Sequence, residues 1–172
     1  TQVQGTASEL TDRLELKLGR SAVIPHSFLP DAAERLALHE QMGRLQNDEE
    51  IETLEDELMD TYGRLPAEVD ALFITAKIRW RALPLQLAML QATQNKSGRW
   101  NLTAGFHAET TPIAALDLVQ WVSDPSNRCH LTKSGRLVHD PADQEGKDPA
   151  QMLLAFVKIL SKLLPKEKQD FP

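Results

Sequence analysis

The sequence contains a single cysteine, few aromatic residues and no long apolar run. Cys129 has no second cysteine to pair with, which excludes an internal disulfide and argues against a secreted, disulfide-stapled scaffold. No apolar stretch approaches the length that spans a bilayer, and the charged start and apolar run of a signal peptide are absent. We therefore expect a cytoplasmic protein without a membrane partner. The chain begins Thr1-Gln2-Val3, without an initiating methionine, which predicts a processed chain or an excised fragment.

The motifs that bind nucleotides, activate a serine or hold a metal are also missing. There is no G-x-x-x-x-G-K-[ST] phosphate loop, no G-x-G-x-x-G and no G-x-S-x-G elbow. Neither H-x-x-x-H nor H-E-x-x-H spacing occurs among the histidines, which are His26, His39, His107, His130 and His139. Cys129 and His130 are adjacent, and neighbours on a strand point to opposite faces, so they are poorly placed to share a metal. We expect no cofactor, no metal and no catalytic residue here.

What the sequence does contain is an ordinary globular composition with an excess of acid. Its 172 residues are 41% apolar and 26% charged, enough for one domain with its own core. The net charge is −6 at pH 7. An acidic chain is a poor default for nucleic acid, because phosphates are bound mostly by clustered lysine and arginine, but it suits a basic protein partner. The charge also favours solubility, and we expect a monomer.

Capping and periodicity signals predict a strand and then three helices in the first half. Residues 12–19 alternate polar and apolar, which is typical of a half-buried strand. Asp31 suits the N-cap of the first helix, and Asn47 with Glu50 suits a capping box that opens the second, which ends at Gly63. The third helix opens at Leu65-Pro66, with proline as its first residue, and carries a long apolar stripe of Val69, Leu72, Phe73, Ala76, Trp80 and Leu83.

The second half changes to short strands with two further helices. The predicted strands are residues 85–93, 99–106, 128–132 and 136–139. Thr111-Pro112 opens a helix with Ile113, Leu116, Val119 and Trp121 on its apolar face, and Asp148-Pro149 opens the last helix. The sequence thus predicts an α+β domain, a helical N-terminal half packed with a small, mainly antiparallel sheet and two further helices. We place a linker or disordered segment at residues 1–11, the domain at 12–164 and a frayed tail at 165–172.

Two weaker hypotheses concern chemistry outside the acidic residues. Cys129 is a candidate nucleophile of a small enzyme, although a buried, inert cysteine in a strand is the more frequent case. Lys77, Arg79 and Arg81 surround Trp80 and are candidates for a nucleic-acid accessory surface. Since Trp80 falls on the apolar stripe of the third helix, the simpler interpretation is a core tryptophan with solvated charges beside it.

The second helix is the most unusual segment, because residues 48–60 hold many carboxylates and no lysine or arginine. The apolar stripe of this helix is Ile51, Leu54, Leu58 and Tyr62. At about 100° per residue, the acids opposite that stripe are Glu49, Asp56, Glu57 and Asp60. Acids in the first turn are favoured by the helix dipole, whereas Glu57 and Asp60 lie near the end where it disfavours them. The face is either merely solvated or a docking surface for arginines, which pair well with carboxylates.

Several segments resemble the C-terminal domain of bacterial transcription-repair coupling factors. The segments are Leu14-Glu15-Leu16, Ile24-Pro25, Phe28-Leu29-Pro30-Asp31, Arg35-Leu36 and Glu57-Leu58-Met59-Asp60-Thr61-Tyr62-Gly63-Arg64-Leu65-Pro66. The second half of the chain matches that family only in its order of elements. Thr61 stands where the family usually has arginine, and the loop at residues 140–147 is longer than the family pattern leads us to expect.

The resemblance implies a regulatory role inside a much larger protein. The parent would be an ATP-driven translocase on double-stranded DNA that removes stalled RNA polymerase and recruits a UvrA-type damage-recognition protein. The present domain would be no enzyme itself. It would dock on a UvrB-like N-terminal region, mask the UvrA-type partner site and restrain the motor. In the family, the acids that match Glu57 and Asp60 face arginines of that region.

Overall fold

The computed structural model describes residues 13–169, so the segment predicted as a linker at residues 1–11 lies outside the described residues. The elements within that range are β1 (Glu15–Lys17), α1 (Ala32–Gly43), α2 (Asp48–Tyr62), α3 (Ala67–Ala82), β2 (Leu87–Gln94), β3 (Trp100–Phe106), α4 (Ala115–Ser123), β4 (Cys129–Leu131), β5 (Leu137–His139), α5 (Pro149–Ser161) and α6 (Lys166–Gln169). The predicted α+β class is confirmed. No helix in this part of the chain is both long and apolar enough to cross a membrane.

All strands of the described range belong to one sheet, in the order β1-β2-β3-β5-β4. β1 pairs with β2 in parallel, while the remaining neighbours pair antiparallel. A parallel pair cannot be joined by a hairpin and needs a long crossover, which α1, α2 and α3 provide. The first strand of the chain therefore completes one edge of the sheet formed by the second half.

The buried side chains form two clusters, and α3 lies between them. Val69 and Phe73 of α3 join the helical cluster with α1 and α2. Ala71, Ile74 and Ile78 face the other way and join the cluster between the sheet and α5. The stripe read from the sequence is the side of α3 that faces α1 and α2. The second buried side was not predicted, because a helix buried on two sides has no single apolar face.

The largest departure from the sequence prediction is α4. None of its residues is buried, and of its expected apolar face Leu116 is 66% and Val119 49% exposed. Ile113 is buried but precedes the helix, so it does not indicate which side of α4 is buried. The side of α4 that packs on the sheet cluster contains Trp121, as predicted, together with Leu118 and Val122, which were not predicted.

Smaller differences concern where helices begin and end. Pro66 is the N-cap of α3 and not its first helical residue. α4 begins at Ala115 and not directly after Thr111-Pro112. The tail predicted at residues 165–172 contains the single turn of α6 at 166–169, and residues 170–172 lie outside the described residues. Shifts of one or two residues are common at helix ends, where few backbone hydrogen bonds fix the chain.

Candidate docking surface on the acidic helix

Both ends of α2 are fixed by local hydrogen bonds that its sequence encodes. The Asn47 side chain accepts from the backbone N–H of Glu50 at 2.8 Å. The Glu50 carboxylate accepts from the N–H of Gln46 at 2.8 Å, one residue before the partner that a standard capping box would use. At the other end Gly63 has φ +77°, and its N–H donates to Met59 O at 2.8 Å. These bonds set where the helix begins and ends.

The rotation of α2 is fixed by a narrow buried stripe. Ile51, Leu54 and Leu58 are buried in the helical cluster with α1 and α3, whereas Tyr62, predicted on the same stripe, is partly exposed at the end of the helix. Because these positions recur at helical spacing, the opposite side of the helix faces solvent. Glu49, Asp56, Glu57 and Asp60 are exposed on that side, as the sequence predicted.

Two other acids of α2 are satisfied within the domain. Glu55 accepts a hydrogen bond from Lys77 at 3.1 Å, and Asp48 accepts one from Arg81 at 2.6 Å. These partners lie on α3, where Lys77 and Arg81 are one turn apart, and the reversed order of the acids reflects the antiparallel packing of the helices. Sequence reasoning treated these lysine and arginine side chains as solvated. The two acids are about two turns apart on α2 and the two cations about one turn apart on α3, so no matching spacing in the sequence marked these pairs.

These ion pairs weaken the hypothesis of a nucleic-acid surface. Lys77 and Arg81 already neutralise carboxylates of α2, and Arg79 donates to the backbone carbonyl of Leu14 at 3.0 Å. Trp80 is half-buried against the helical cluster. A phosphate backbone would have to compete with intramolecular partners for these cations.

The outward acids differ from Asp48 and Glu55 in forming no ion pair within the described residues. Among residues 13–169 no ion pair involves Glu49, Asp56, Glu57 or Asp60. The last turn of α2 contains no basic residue. Glu57 and Asp60 therefore place uncompensated negative charge near the negative end of the helix dipole, a small local cost in stability.

The acidic face is continuous with a groove between α1 and α2. This groove has a volume of about 540 Å³ and is lined by Gln41, Arg44, Leu45, Asn47, Glu49, Glu50, Thr53, Leu54 and Glu57. Glu49 and Glu57 thus border the groove, while Asp56 and Asp60 face away from it. The four acids that the sequence grouped together occupy two sides of one exposed ridge.

The candidate nucleophile Cys129 lies in a strand, as the sequence predicted, and has a histidine neighbour that the sequence did not indicate. Cys129 opposes His139 across the β4–β5 pair, and its Sγ lies 3.3 Å from His139 Nδ1. The histidine next to Cys129 in the sequence, His130, points to the other face of the strand and is exposed. The turn at Ser134-Gly135 predicts that these two strands form a hairpin, and its exact antiparallel register creates this contact.

The Cys129–His139 contact has the wrong electrostatics for a nucleophile. Burial raises the pKa of the Cys129 thiol to about 12, so the reactive thiolate is scarce at neutral pH. Burial also lowers the pKa of His139, whose ring stacks on Phe156 with centroids 5.1 Å apart. The sulfur is also 3.3 Å from the carbonyl oxygen of Asn127, and Nδ1 is 3.3 Å from that of Arg128. Within residues 13–169 no group of His, Cys, Asp and Glu side chains is arranged to hold a metal ion.

Comparison with known proteins gives consistent similarities. The TRCF domain family matches residues 18–108, just over half of the chain, including all of α2. The transcription-repair-coupling factor of Rickettsia conorii is 36% identical over 126 residues, covering 72% of this chain and 10% of that protein. The Escherichia coli protein of the same name is 26% identical over 84 residues, covering 49% of this chain and 7% of its own length.

A solved structure shows the same fold. The crystal structure of a C-terminal domain of transcription-repair coupling factor superposes with a TM-score of 0.69 at 20% identity, covering 87% of this chain and 92% of that one. The chain spans about a tenth of the length of the Rickettsia relatives that it matches. These similarities confirm the resemblance drawn from the motifs, and the chain belongs to the transcription-repair coupling factor family.

Proposed function

We propose that this chain is the C-terminal regulatory domain of a transcription-repair coupling factor and that it holds its parent protein in a closed state. The exposed acids of α2 dock on arginines of a UvrB-like region upstream in the same protein. The observation that carries this proposal is the contrast within α2, where Asp48 and Glu55 form ion pairs with α3 and the outward acids form none within residues 13–169.

The charge pattern of α2 supports a partner with a basic surface. Glu57 and Asp60 lie three residues apart, so their carboxylates are neighbours on the helix. The domain pays a small stability cost for acid at that end of the helix. An arginine presents a planar fork of donors that bonds well to a carboxylate, and it would remove this cost on docking.

Docking at this face would regulate the parent by competition between two states. In the closed state the domain covers the surface that a UvrA-type damage-recognition protein binds, and it restrains an ATP-driven DNA translocase that acts on stalled RNA polymerase. A partner that binds only the open state is favoured by whatever destabilises the closed one. The domain itself needs no catalytic residue for this role.

The proposal is tested by reversing the charge of the pair. We expect Glu57→Lys with Asp60→Lys to weaken binding of this domain to the separately expressed upstream part of the parent by at least about tenfold, because each desolvated pair is worth on the order of 1–3 kcal/mol. Titration calorimetry measures this directly. In the full-length parent, basal ATPase and UvrA-type partner binding should rise.

The matched control is Glu109→Lys with Glu145→Lys, which changes the net charge by the same amount. Both of these glutamates are exposed in loops and lie outside α2. This control should bind like the wild type, and thermal melts should show that both variants remain folded. If the two double variants weaken binding equally, general charge and not the face of α2 governs the interaction. If neither changes binding or ATPase, the acidic face is a solvated surface and the proposal is wrong.

A further inference from the structure

The last turns of α2 also carry exposed apolar surface beside the acidic ridge. Met59 is 42% exposed and Tyr62 is 46% exposed, whereas Ile51, Leu54 and Leu58 on the same helix are buried. Met59 and Tyr62 lie three residues apart and are therefore neighbours on the last turns of the helix. Single exposed apolar side chains are common, but two adjacent ones beside uncompensated charge form a patch.

This patch is held in a fixed position. The Tyr62 ring packs on Phe28 of the connector before α1, with centroids 5.2 Å apart and planes tilted by 60°. Gly63 ends the helix directly after Tyr62, and its N–H donates to the carbonyl of Met59. The Met59 side chain is thus presented from an ordered backbone, while its flexible thioether can adapt to an irregular hollow.

The neighbours of Met59 on the helix surface define the chemistry of the partner. Asp56 lies one turn before it and forms no ion pair within residues 13–169, Asp60 follows it directly in the chain, and Glu55, also one turn before it, is already paired with Lys77 of α3. A surface that fits must therefore be basic around an apolar centre. Exposed ion pairs contribute little by themselves, whereas apolar anchors enclosed by a polar rim provide most of the binding energy in many interfaces.

We infer that Met59, supported by Tyr62, is the apolar anchor of the α2 docking surface and enters a hollow rimmed by arginines on its partner. The inference rests on the proposed function, in which the partner is the upstream region of the parent. Asp56 and Asp60 flank this anchor and orient it by pairing with the arginines. The burial of Met59 provides most of the binding free energy.

The test compares Met59→Ala with Leu116→Ala, which truncates a leucine of α4 that is 66% exposed. Binding of each variant domain to the separately expressed upstream part of the parent is measured by titration calorimetry. We expect Met59→Ala to weaken binding about tenfold, in the range of an interface anchor, and Leu116→Ala to leave it unchanged. Because Met59 is exposed, thermal melts of both variants should match the wild type.

The salt dependence of binding distinguishes the contribution of the apolar anchor from that of the charged residues. Raising the sodium chloride concentration to about 0.5 M should reduce the effect of the Glu57→Lys with Asp60→Lys change, since exposed charges are then screened within a few ångströms. The effect of Met59→Ala should persist. If charge reversal weakens binding but Met59→Ala does not, the anchor is wrong and the proposed function stands. If the wild-type domain does not bind the upstream part at all, the proposed function fails and the anchor fails with it.

Discussion

At the scale of single residues, the chain just after β1 approaches Trp100 of β3 so closely at Gly19 that there is little room for a side chain. This residue has φ +77°, and a Cβ built on it would lie 2.6 Å from the Trp100 ring and 3.2 Å from Cβ of Pro149. The backbone of Trp100 is itself held, because its N–H donates to the Gln144 side chain and its carbonyl accepts from the same amide. The backbone of Trp100 is therefore fixed, and only a rotation of its ring could relieve the contact with the added Cβ.

We expect Gly19→Ala to lower the free energy of unfolding by about 2–4 kcal/mol, combining left-handed backbone strain with overpacking. The matched variant is Gly98→Ala, which has φ +80° but no atom within 4 Å of the added Cβ. Its cost should be only about 1 kcal/mol, from backbone strain alone. Urea denaturation monitored by tryptophan fluorescence measures both. Equal losses would show that the packing against Trp100 is unimportant.

At the scale of elements, the β4–β5 pair brings together a thiol and an imidazole that are both held in their neutral, unreactive forms. Hydrogen bonding between the strands places Cys129 opposite His139, and burial then favours the neutral form of each. In their neutral forms the half-buried thiol and imidazole contribute to the packing of this region. The loop after β5 strengthens the same region, because Asp140 binds Arg99 and Arg128 at 2.7 Å each.

The lowered pKa of His139 makes stability depend on pH in a defined direction. Burial is the main cause, opposed in part by hydrogen bonds to the carbonyls of Arg128 and Asn127. The unfolded chain binds the proton near pH 6.5 and the folded chain only below that. The contribution of His139 to stability is thus fully present above pH 6.5 and is lost as the pH falls toward the folded-state pKa.

His139→Gln should therefore lose less stability than the wild type when the pH falls from about 7.5 to 5.5, a window around the unfolded histidine pKa. His26→Gln removes an exposed histidine and should follow the wild-type curve. Urea midpoints at several pH values give the slopes. A His139→Gln curve parallel to that of the wild type would contradict the assigned burial effect.

At the scale of the whole molecule, the two core clusters are joined by α3 and by one arginine. Arg20 donates to Asp70 of α3 at 3.1 Å and to Asp148, the N-cap of α5, at 2.7 Å. It also donates to the carbonyl of Ala67. One side chain just after β1 thus connects the start of α3 with the start of α5, and so the helical half with the sheet half.

We expect Arg20→Met to lower the free energy of unfolding by about 1–3 kcal/mol, because Asp70 and Asp148 lose a partly buried cation. The comparison is Lys17→Met, which removes a largely exposed ion pair with Glu15 and should cost at most about 1 kcal/mol. Urea unfolding should show a shifted midpoint with an unchanged slope. A loss as small as that of Lys17→Met would show that Arg20 does not join the two halves energetically.

Local sequence signals determined the elements and the family of this protein. Asp31, Asn47 and Asp148 accept the backbone hydrogen bonds expected of N-caps, and the acidic face of α2 is exposed as its periodicity predicts. These features depend on residues within one or two helical turns of each other, so the sequence contains them directly. The docking role of Glu49, Asp56, Glu57 and Asp60 remains a prediction of the motifs and the charge pattern.

Only the tertiary structure decided which acids stay unpaired and which apolar residues stay exposed. Asp48 and Glu55 are neutralised by α3, and Cys129 meets His139, because helix packing and strand register join residues far apart in the chain. Leu116 and Val119 are exposed because α4 turns a different face to the sheet than its sequence suggested. Such contacts depend on the rotation and register of whole elements, which the global packing of the core sets and no local pattern specifies.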